Sequence, residues 1–189
     1  MKKIAIFISG RGSNMKAILE QCNNGVLQNV AQPILVFSNN PEAAGLETAK
    51  SYGIPTASIP SKGKKRVAFD QEVIDFLENY DIDYIVLAGY MRVLSKRFVQ
   101  AFKNKIINIH PADTHQHKGL HAYEWAYNSN LKHTKITVHY VDEGVDTGNI
   151  IAQAVVNLEG AKTLEDIEKR GLAVEHRFYS QTLAEVMKA

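Results

Sequence analysis

The sequence has little cysteine and no long apolar run, and each of these absences excludes a class of protein. Its single cysteine, Cys22, excludes an internal disulfide framework and fits a reducing compartment, so we expect a cytoplasmic protein. A membrane span needs about 18 consecutive apolar residues, and no window approaches that length. The apolar start at 4–8 ends at Ser9 and Gly10, before a helical pattern, which does not fit an export signal. We therefore predict a soluble protein with no membrane partner.

The sequence also lacks an excess of charge of either sign. Its 22 basic and 20 acidic side chains give a net charge of +2, and only residues 62–66 form a basic cluster. This balance offers no electrostatic basis for binding nucleic acid. We expect small-molecule partners instead, in a protein that is a monomer or a homodimer. With 45% hydrophobic residues and no linker or repeat, we predict one domain, 1–189.

Apolar runs alternate with amphipathic stretches up to residue 110, in the rhythm of a β-α-β fold. The predicted strands of this half cover 3–9, 31–39, 54–60, 83–89 and 105–110. Continuous apolar runs of this kind are typical of parallel strands that are buried on both faces. We predict an α/β protein with an open, twisted, mostly parallel sheet flanked by helices.

The last third of the chain has a different pattern. Residues 135–144 and 149–158 alternate or run apolar around a turn-rich segment, which predicts a late antiparallel pair of strands. Residues 163–188 predict one long C-terminal helix. Thr163 suits its N-cap position, and acidic residues in the first turn would complement the helix dipole.

The turn after the first strand carries small residues directly into a helix. Ligands of open α/β sheets bind at the carboxyl ends of the strands. The backbone N–H groups of Gly12, Ser13 and Asn14 would point from the helix N-terminus towards an anion, which predicts a phosphate cradle. Two glycines in such a turn also occur for geometry alone, and the segment is neither a dinucleotide fingerprint nor a P-loop. Both interpretations stay open on this segment alone.

A second strand end, in residues 87–95, places an arginine among apolar residues. The backbone of Met91, Arg92, Val93 and Leu94 could line a slot for a flat heterocycle. The alternative is a loop that packs its apolar side chains on the core while Arg92 is solvated. This stretch does not decide between the two.

A third strand end carries Asn108 and His110, followed by a proline. Because side chains alternate along a strand, both point to the same side, where an amide and an imidazole could stabilise one developing oxyanion. The acidic segment 142–149 could place a carboxylate beside His110 and favour imidazolium near neutral pH. The plain alternatives are an Asn-x-His-Pro that turns the chain and an ordinary Asp/Gly turn.

Taken together, these segments have the order and spacing of a known enzyme family over nearly the whole chain. They read FISGRGSNMKAI, VFSNNPEAAGLETAKSYGIPT, DYIVLAGYMRVLS, INIHP, GLHAYEWA and VHYVDEGVDTGNIIAQ. The sequence resembles the glycinamide ribonucleotide transformylases, folate-dependent formyltransferases of de novo purine biosynthesis. The resemblance implies a Rossmann-like formyltransferase fold. Residues 1–110 would form its nucleotide-binding half, and residues 111–189 would supply the folate-side loops, late strands and C-terminal helix.

The resemblance also implies a site for two substrates. Gly12, Ser13 and Asn14 resemble the family's cradle for the phosphate of glycinamide ribonucleotide, and Glu175 resembles its residue for the ribose hydroxyls. Arg66 suits the acidic tail of the folate. The other folate-side positions implied by the resemblance are Met91, Arg92, Val93, Leu94, Asn108, Val141, Asp142, Glu143 and Asp146.

Asn108, His110 and Asp146 match the family's catalytic trio. The implied reaction moves the formyl group of 10-formyltetrahydrofolate to the amine of glycinamide ribonucleotide. Asn108 and protonated His110 would stabilise the charge that builds on the formyl oxygen, and Asp146 would keep His110 charged. The resemblance implies no metal.

Two places depart from the family pattern. After His-Pro the family usually continues Ser-Leu-Leu-Pro, whereas residues 112–119 read ADTHQHKG, with less apolar and proline content. This loop neighbours the expected substrate amine and folate, so it bears on substrate affinity and choice of acceptor. Leu172 stands where the family has a polar contact three residues before Glu175.

Three histidines, His115, His117 and His121, raise the question of a metal site. A short loop without cysteine or a nearby set of acidic ligands makes a poor preorganised site. We therefore predict no metal, and we expect His121 to cap the following helix or line the cleft.

Two other functions stay open from the sequence. A relative that formylates another amine, such as an amino-sugar nucleotide or initiator tRNA, would share Asn-x-His-Pro and the acidic loop. A non-catalytic nucleotide-binding module is the alternative from another class, and the changed loop is its best support.

Overall fold

Seven strands form one sheet in the computed structural model, which describes residues 1–189. The strands are β1 (Lys2–Ile8), β2 (Ala31–Ser38), β3 (Thr56–Ser58), β4 (Tyr84–Leu87), β5 (Ile106–His110), β6 (His133–Tyr140) and β7 (Ile150–Asn157). The helices are α1 (Ser13–Asn24), α2 (Ala44–Ser51), α3 (Arg66–Leu77), α4 (Lys96–Ala101), α5 (Ala122–Asn128) and α6 (Leu164–Lys188). No helix is both long enough and apolar enough to span a membrane.

The sheet order is β3-β2-β1-β4-β5-β6-β7, with β1 to β5 parallel and β6 and β7 antiparallel to their neighbours. The predicted mostly parallel sheet with late antiparallel strands is therefore confirmed. The strand order reverses between β1 and β4. In an open α/β sheet such a switch point leaves a crevice outside the carboxyl ends of the strands, where ligands bind.

Apolar side chains cover both faces of the sheet and form two cores, of 26 and 15 buried residues. The larger core contains Tyr179 of α6, whose hydroxyl lies 2.9 Å from the Leu87 carbonyl oxygen and 3.0 Å from that of Ile107. A buried hydroxyl needs such partners, because leaving it unpaired would be costly. The C-terminal helix is thereby joined to β4 and β5, the strands that carry two of the predicted site segments.

The C-terminal helix begins as predicted. The Thr163 hydroxyl accepts a hydrogen bond from the Asp166 N–H, and the Asp166 carboxylate accepts one from the Thr163 N–H, both at 3.1 Å. This capping box satisfies N–H groups that a helix otherwise leaves free at its start.

The predicted strands differ from the observed ones at their ends, most of all in the third strand. The third strand is reduced to Thr56–Ser58, because Pro55 and Pro60 flank it and proline has no N–H for the ladder. The strand predicted over 105–110 is β5 (Ile106–His110), and His110 is its last residue. His110 is paired with Thr137 of β6, so sheet register fixes where its side chain starts.

Candidate active site

Three strand ends are tied together through Ser9, which follows β1. Its N–H donates to the Gly89 carbonyl (3.2 Å), and its hydroxyl accepts from the Met91 N–H (2.8 Å), both beyond β4. The same hydroxyl donates to the side-chain oxygen of Asn39, which follows β2 (2.5 Å). The strand ends therefore form one continuous edge, at which the predicted site segments collect.

The turn after β1 has the geometry of an anion cradle. Gly12 is the N-cap of α1, with φ of 72°, a left-handed conformation that favours glycine. No side chain caps this helix. The first N–H groups of a helix have no intrahelical partner, so those of Ser13 and Asn14 can donate to an anion. This arrangement fits the phosphate-cradle interpretation of the turn.

Two elements bring the predicted catalytic trio together. Asn108 and His110 lie on β5, and Asp146 lies in the loop between β6 and β7. Asp146 Oδ2 is 3.3 Å from His110 Nδ1 and accepts a hydrogen bond from the Gly119 N–H at 2.8 Å. Asp146 has φ of 51°, a conformation that is uncommon outside glycine and recurs at functional sites. The loop backbone is thus shaped so that this carboxylate faces the imidazole.

The charge of His110 differs from the expectation. Burial lowers the pKa of His110, while Asp146 and the His117 carbonyl, 2.9 Å from Nε2, act to raise it. Burial prevails, and the pKa lies below the usual value for histidine, so the imidazole is mainly neutral at neutral pH. Asp146 therefore acts on the pKa of His110 in the expected direction, but in this structure burial outweighs the nearby carboxylate.

His139 on β6 is a site residue that the sequence patterns did not indicate. Its Nε2 lies 3.4 Å from Asp146 Oδ1 and 3.5 Å from Asn108 Nδ2. The available signal was the period of two in β6, which buries the polar side chains of Thr137 and His139. Burial acts to raise the pKa of Asp146, but hydrogen bonds from His139 and from the Gly119 N–H outweigh it and lower the pKa, so Asp146 is ionised.

The trio lines a cavity of about 320 Å³. The predicted site residues on its wall are Met91, Arg92, Val93, Leu94, Asn108, His110, Val141, Asp142 and Asp146. Leu87 and Tyr90 add apolar surface, which suits a ring system held by a few polar groups. Arg66 and Glu143 are not on the wall: Arg66 is exposed at the start of α3, and Glu143 pairs with Lys96 at 3.3 Å.

The segment after β4 turns its arginine inward and exposes Met91 and Val93, while Tyr90 and Leu94 are buried in the smaller core. The guanidinium carbon of Arg92 lies 4.7 Å from the ring centroid of Phe69, a cation–π contact. Met91 and Val93 are 64% and 43% exposed. The alternative interpretation is therefore wrong in its solvated Arg92, whereas the apolar side chain of Leu94 does pack on the core. Exposed apolar side chains on a cavity wall favour a ligand with an apolar face.

The loop 112–119 is held by polar contacts. The Asp113 carboxylate accepts hydrogen bonds from Lys135 Nζ (2.9 Å), Gln153 Nε2 (3.4 Å) and the His115 N–H (3.0 Å). Burial acts to raise the pKa of Asp113, but these donors outweigh it, so the pKa lies below its usual value. Since Lys135 and Gln153 belong to β6 and β7, the loop is attached to the sheet by side chains.

The same loop covers the imidazole of His110. The His117 ring is nearly parallel to those of Trp125 and His110, with centroids 5.0 and 6.2 Å away. Its Nε2 lies 2.9 Å from the Leu120 carbonyl oxygen, and its own carbonyl faces Nε2 of His110. One nitrogen of His110 is therefore engaged by the loop and the other faces Asp146.

Glu175, expected to bind ribose hydroxyls, lies where α1, α5 and α6 meet. It is 5% exposed. Its Oε1 accepts from Asn14 Nδ2 at 3.0 Å, and its Oε2 accepts from the Tyr123 hydroxyl. Glu175 thus adjoins the anion cradle through Asn14, and neither lies on the wall of the 320 Å³ cavity. The structure places the residues predicted for the two substrates in two separate regions.

The loop histidines are not gathered around a common point. His115 is exposed, His117 stacks on Trp125, and His121 pairs with Glu124 at 2.6 Å. No group of three or more His, Cys, Asp or Glu side chains is arranged to hold a metal ion. His121 lies on the cavity wall, as expected. It occupies the N-cap position of α5, but its side chain makes no capping hydrogen bond.

A larger open groove of about 680 Å³ lies between the end of α5 and the start of α6. It contains none of the predicted site residues. Size alone therefore does not locate the site, and the chemistry of the smaller cavity does.

Known proteins are similar to this chain in both sequence and fold. Residues 2–183 match the family model described as formyl transferase. The chain is 38% identical over 188 residues to the phosphoribosylglycinamide formyltransferase of Bacillus subtilis, covering 99% of this chain and 95% of that protein. It is 37% identical over 182 residues to the trifunctional purine biosynthetic protein adenosine-3 of Bos taurus, covering 96% of this chain and 18% of that protein. The crystal structure of the phosphoribosylglycinamide formyltransferase from Bacillus halodurans superposes with a TM-score of 0.92 at 40% identity, covering 98% of this chain and 95% of that one.

Proposed function

The chain belongs to the formyl transferase family, and we propose that it transfers the formyl group of 10-formyltetrahydrofolate to the amine of glycinamide ribonucleotide. The product is formylglycinamide ribonucleotide, an intermediate of de novo purine biosynthesis. The observation that carries the proposal is the approach of Asp146 Oδ2 to His110 Nδ1, at 3.3 Å, on the wall of the 320 Å³ cavity.

His110 moves the proton that this reaction has to transfer. The amine attacks the formyl carbon, a new C–N bond forms, and the bond from that carbon to N10 of the folate breaks. One proton leaves the amine, and N10 gains one. Neutral His110 accepts the first proton, and Asp146 stabilises the imidazolium until it donates to N10. The low pKa of His110 therefore favours the form that can begin the reaction.

Asn108 stabilises the oxyanion that forms between these steps. Its Nδ2 has only a long contact, 3.5 Å to His139 Nε2, which does not compete with a charged acceptor. As negative charge develops beside His110, the imidazolium form is favoured in turn. Both residues start from β5, so little reorganisation is needed during the reaction.

The loop 112–119 has to move away from His110 when the substrate amine binds. Nε2 of His110 faces the His117 carbonyl, and Nδ1 faces Asp146. The amine needs a ring nitrogen, and Asp146 is needed throughout. The contact to His117 is therefore the one that the substrate replaces.

The two regions of the site divide the substrates between them. The N–H groups after Gly12 bind the phosphate, and Glu175 accepts from the ribose hydroxyls. The slot of Met91 to Leu94 and the loop from Val141 to Asp146 hold the folate ring. Glu143 of this loop lies off the cavity wall, and its carboxylate pairs with Lys96. Arg66, in the exposed basic cluster, binds the acidic tail.

Formyl transfer to glycinamide ribonucleotide, measured for the wild type and for His110→Ala, tests the proposal. We expect turnover by the wild type and a loss of about 10²–10⁴-fold in the variant, as for the removal of a group that transfers a proton in the reaction. His133→Ala, at an exposed histidine that begins β6, is the matched control. Wild-type protein that turns over only an amino-sugar nucleotide, or neither acceptor, would contradict the proposal.

A further inference from the structure

A buried polar cluster joins the anion cradle to the helix after the divergent loop. Glu175 of α6 is 5% exposed and Asn14 of α1 is 8% exposed, while Tyr123 of α5 is partly buried. The two carboxylate oxygens of Glu175 have different donors, Asn14 Nδ2 for Oε1 and the Tyr123 hydroxyl for Oε2. The plane of the carboxylate is therefore fixed from both ends.

Helix α6 is shaped to admit the ring of Tyr123. A Cβ atom added at Gly171 would overlap with that ring and its hydroxyl. An aromatic ring is rigid and cannot yield as a flexible chain end does, so any larger residue at Gly171 would push Tyr123 away from Glu175. The glycine and the tyrosine form one fitted pair, one turn before the carboxylate.

The cluster also has acceptors that the protein leaves unused. Asn14 Oδ1 is buried without a hydrogen-bond partner, and a buried polar atom of this kind is rare without a ligand or water. Each oxygen of the Glu175 carboxylate has a second lone pair. A ligand with neighbouring hydroxyl groups supplies the donors that these acceptors lack.

We propose that Tyr123 is a positioning residue: its hydroxyl orients the Glu175 carboxylate towards the ribose hydroxyls of the ribonucleotide substrate. This inference rests on the proposed function, because it takes glycinamide ribonucleotide as the ligand. It adds a residue of the helix after the divergent loop to the substrate side of the site.

The groups around Glu175 determine in which direction the loss of the Tyr123 hydroxyl would shift the pKa of Glu175. Burial raises the pKa of Glu175, and the hydrogen bonds from Tyr123 and Asn14 counter that rise in part. Burial and Glu175 in turn raise the pKa of Tyr123 far above its usual value, so its hydroxyl stays a donor. The polar groups that face Glu175 are Asn14 from α1 and Tyr123 from α5, and Glu168 on α6 acts on Tyr123. Without the Tyr123 hydroxyl, Glu175 would take up a proton at a higher pH.

Tyr123→Phe tests the inference, because it removes the hydroxyl and keeps the ring. We expect the KM for glycinamide ribonucleotide to rise by about tenfold or more, as for the loss of a hydrogen bond to a charged group. The kcat and the KM for the folate should change little. The acid limb of kcat/KM for the ribonucleotide should move to higher pH. Tyr127→Phe, at an exposed tyrosine of the same helix, is the control.

Other outcomes would overturn the inference and distinguish it from the proposed function. If Glu175→Gln raises this KM and Tyr123→Phe does not, Tyr123 is no positioning residue. If Tyr123→Phe lowers the thermal midpoint and weakens both substrates equally, without a shift in the pH profile, its role is structural only. If the wild type does not formylate the ribonucleotide, the proposed function fails first.

Discussion

The strand that carries the catalytic groups and the loop that follows it differ in what holds them in place. β5 is hydrogen-bonded to β4 on one side and to β6 on the other, so backbone register positions Asn108 and His110. The loop 112–119 depends on side chains, chiefly on Asp113 and its ion pair with Lys135 at 2.9 Å. Backbone register survives most substitutions, whereas a side-chain contact is lost with one. The fold therefore protects the catalytic geometry and leaves the covering loop free to diverge.

The largest effect on activity is expected at Asp146, which contacts both His110 of β5 and Gly119 of the loop 112–119. Asp146→Asn should lower kcat/KM by about 10²–10³-fold, because the imidazolium that forms on His110 loses its counter-charge. Asp146 acts to raise the pKa of His110. Its removal should move the acid limb of the kcat/KM profile to lower pH.

The pH–rate profile of the purified variant measures both effects. Asp81→Asn, the same change at an exposed surface acid, should leave the profile as it is. An acid limb that stays in place, or moves to higher pH, would show that Asp146 does not act through the charge of His110.

An intermediate effect, on the free energy of unfolding, is expected when the ion pair between Asp113 and Lys135 is broken. Its size should depend on which of the two partners is replaced. Lys135→Met leaves an ionised, 9% exposed carboxylate short of a donor, which should cost about 1–3 kcal/mol of unfolding free energy. Asp113→Asn leaves Lys135, which is 41% exposed, free to enter water, and should cost about 0.5–1.5 kcal/mol.

Denaturant unfolding compares the two variants, and equal losses would mean that burial of the acid is unimportant. Because the folded protein lowers the pKa of Asp113, this stabilisation is complete above the unfolded pKa of the acid. It should be lost as the pH falls through the lower, folded pKa. In Lys135→Met that loss should be smaller, because the His115 N–H and Gln153 still donate to the acid.

The smallest effect is expected at His117, whose contact with His110 comes from its backbone carbonyl. His117→Ala keeps that carbonyl but loses the ring stacks on Trp125 and His110 and the contact of Nε2 with the Leu120 carbonyl oxygen. This loss should raise local opening of the loop about 2–10-fold. Limited proteolysis within the loop measures it, with exposed His115→Ala as control. Equal cleavage of His117→Ala and wild type would show that the His117 side chain does not hold the loop in place.

The fold and the catalytic strand could be predicted because their signals are local. Continuous apolar runs indicate buried parallel strands, and a period of two puts Asn108 and His110 on one side of β5. The resemblance to the family added Asp146 and Glu175 to the predicted site residues. The roles given to these residues, to the anion cradle and to Arg66 stay predictions, as do the oligomeric state and the cytoplasmic location.

The missed features depend on distant partners or on a balance of opposing effects. The partner of Asp113 lies 22 positions away, and that of Tyr123 lies 52 positions away. No local pattern connects such residues. The low pKa of His110 results from burial prevailing over a neighbouring carboxylate, and only packing in three dimensions decides that contest.

The contacts of α6 set an order of events during protein synthesis. Tyr179 reaches the carbonyl oxygens of Leu87 and Ile107 from a helix that follows every other element in the chain. A nascent chain that has left the ribosome only as far as β7 already contains Asn108, His110 and Asp146. It still lacks the helix that braces their strands and carries Glu175, so competence to bind a ribonucleotide would arise only once α6 has emerged.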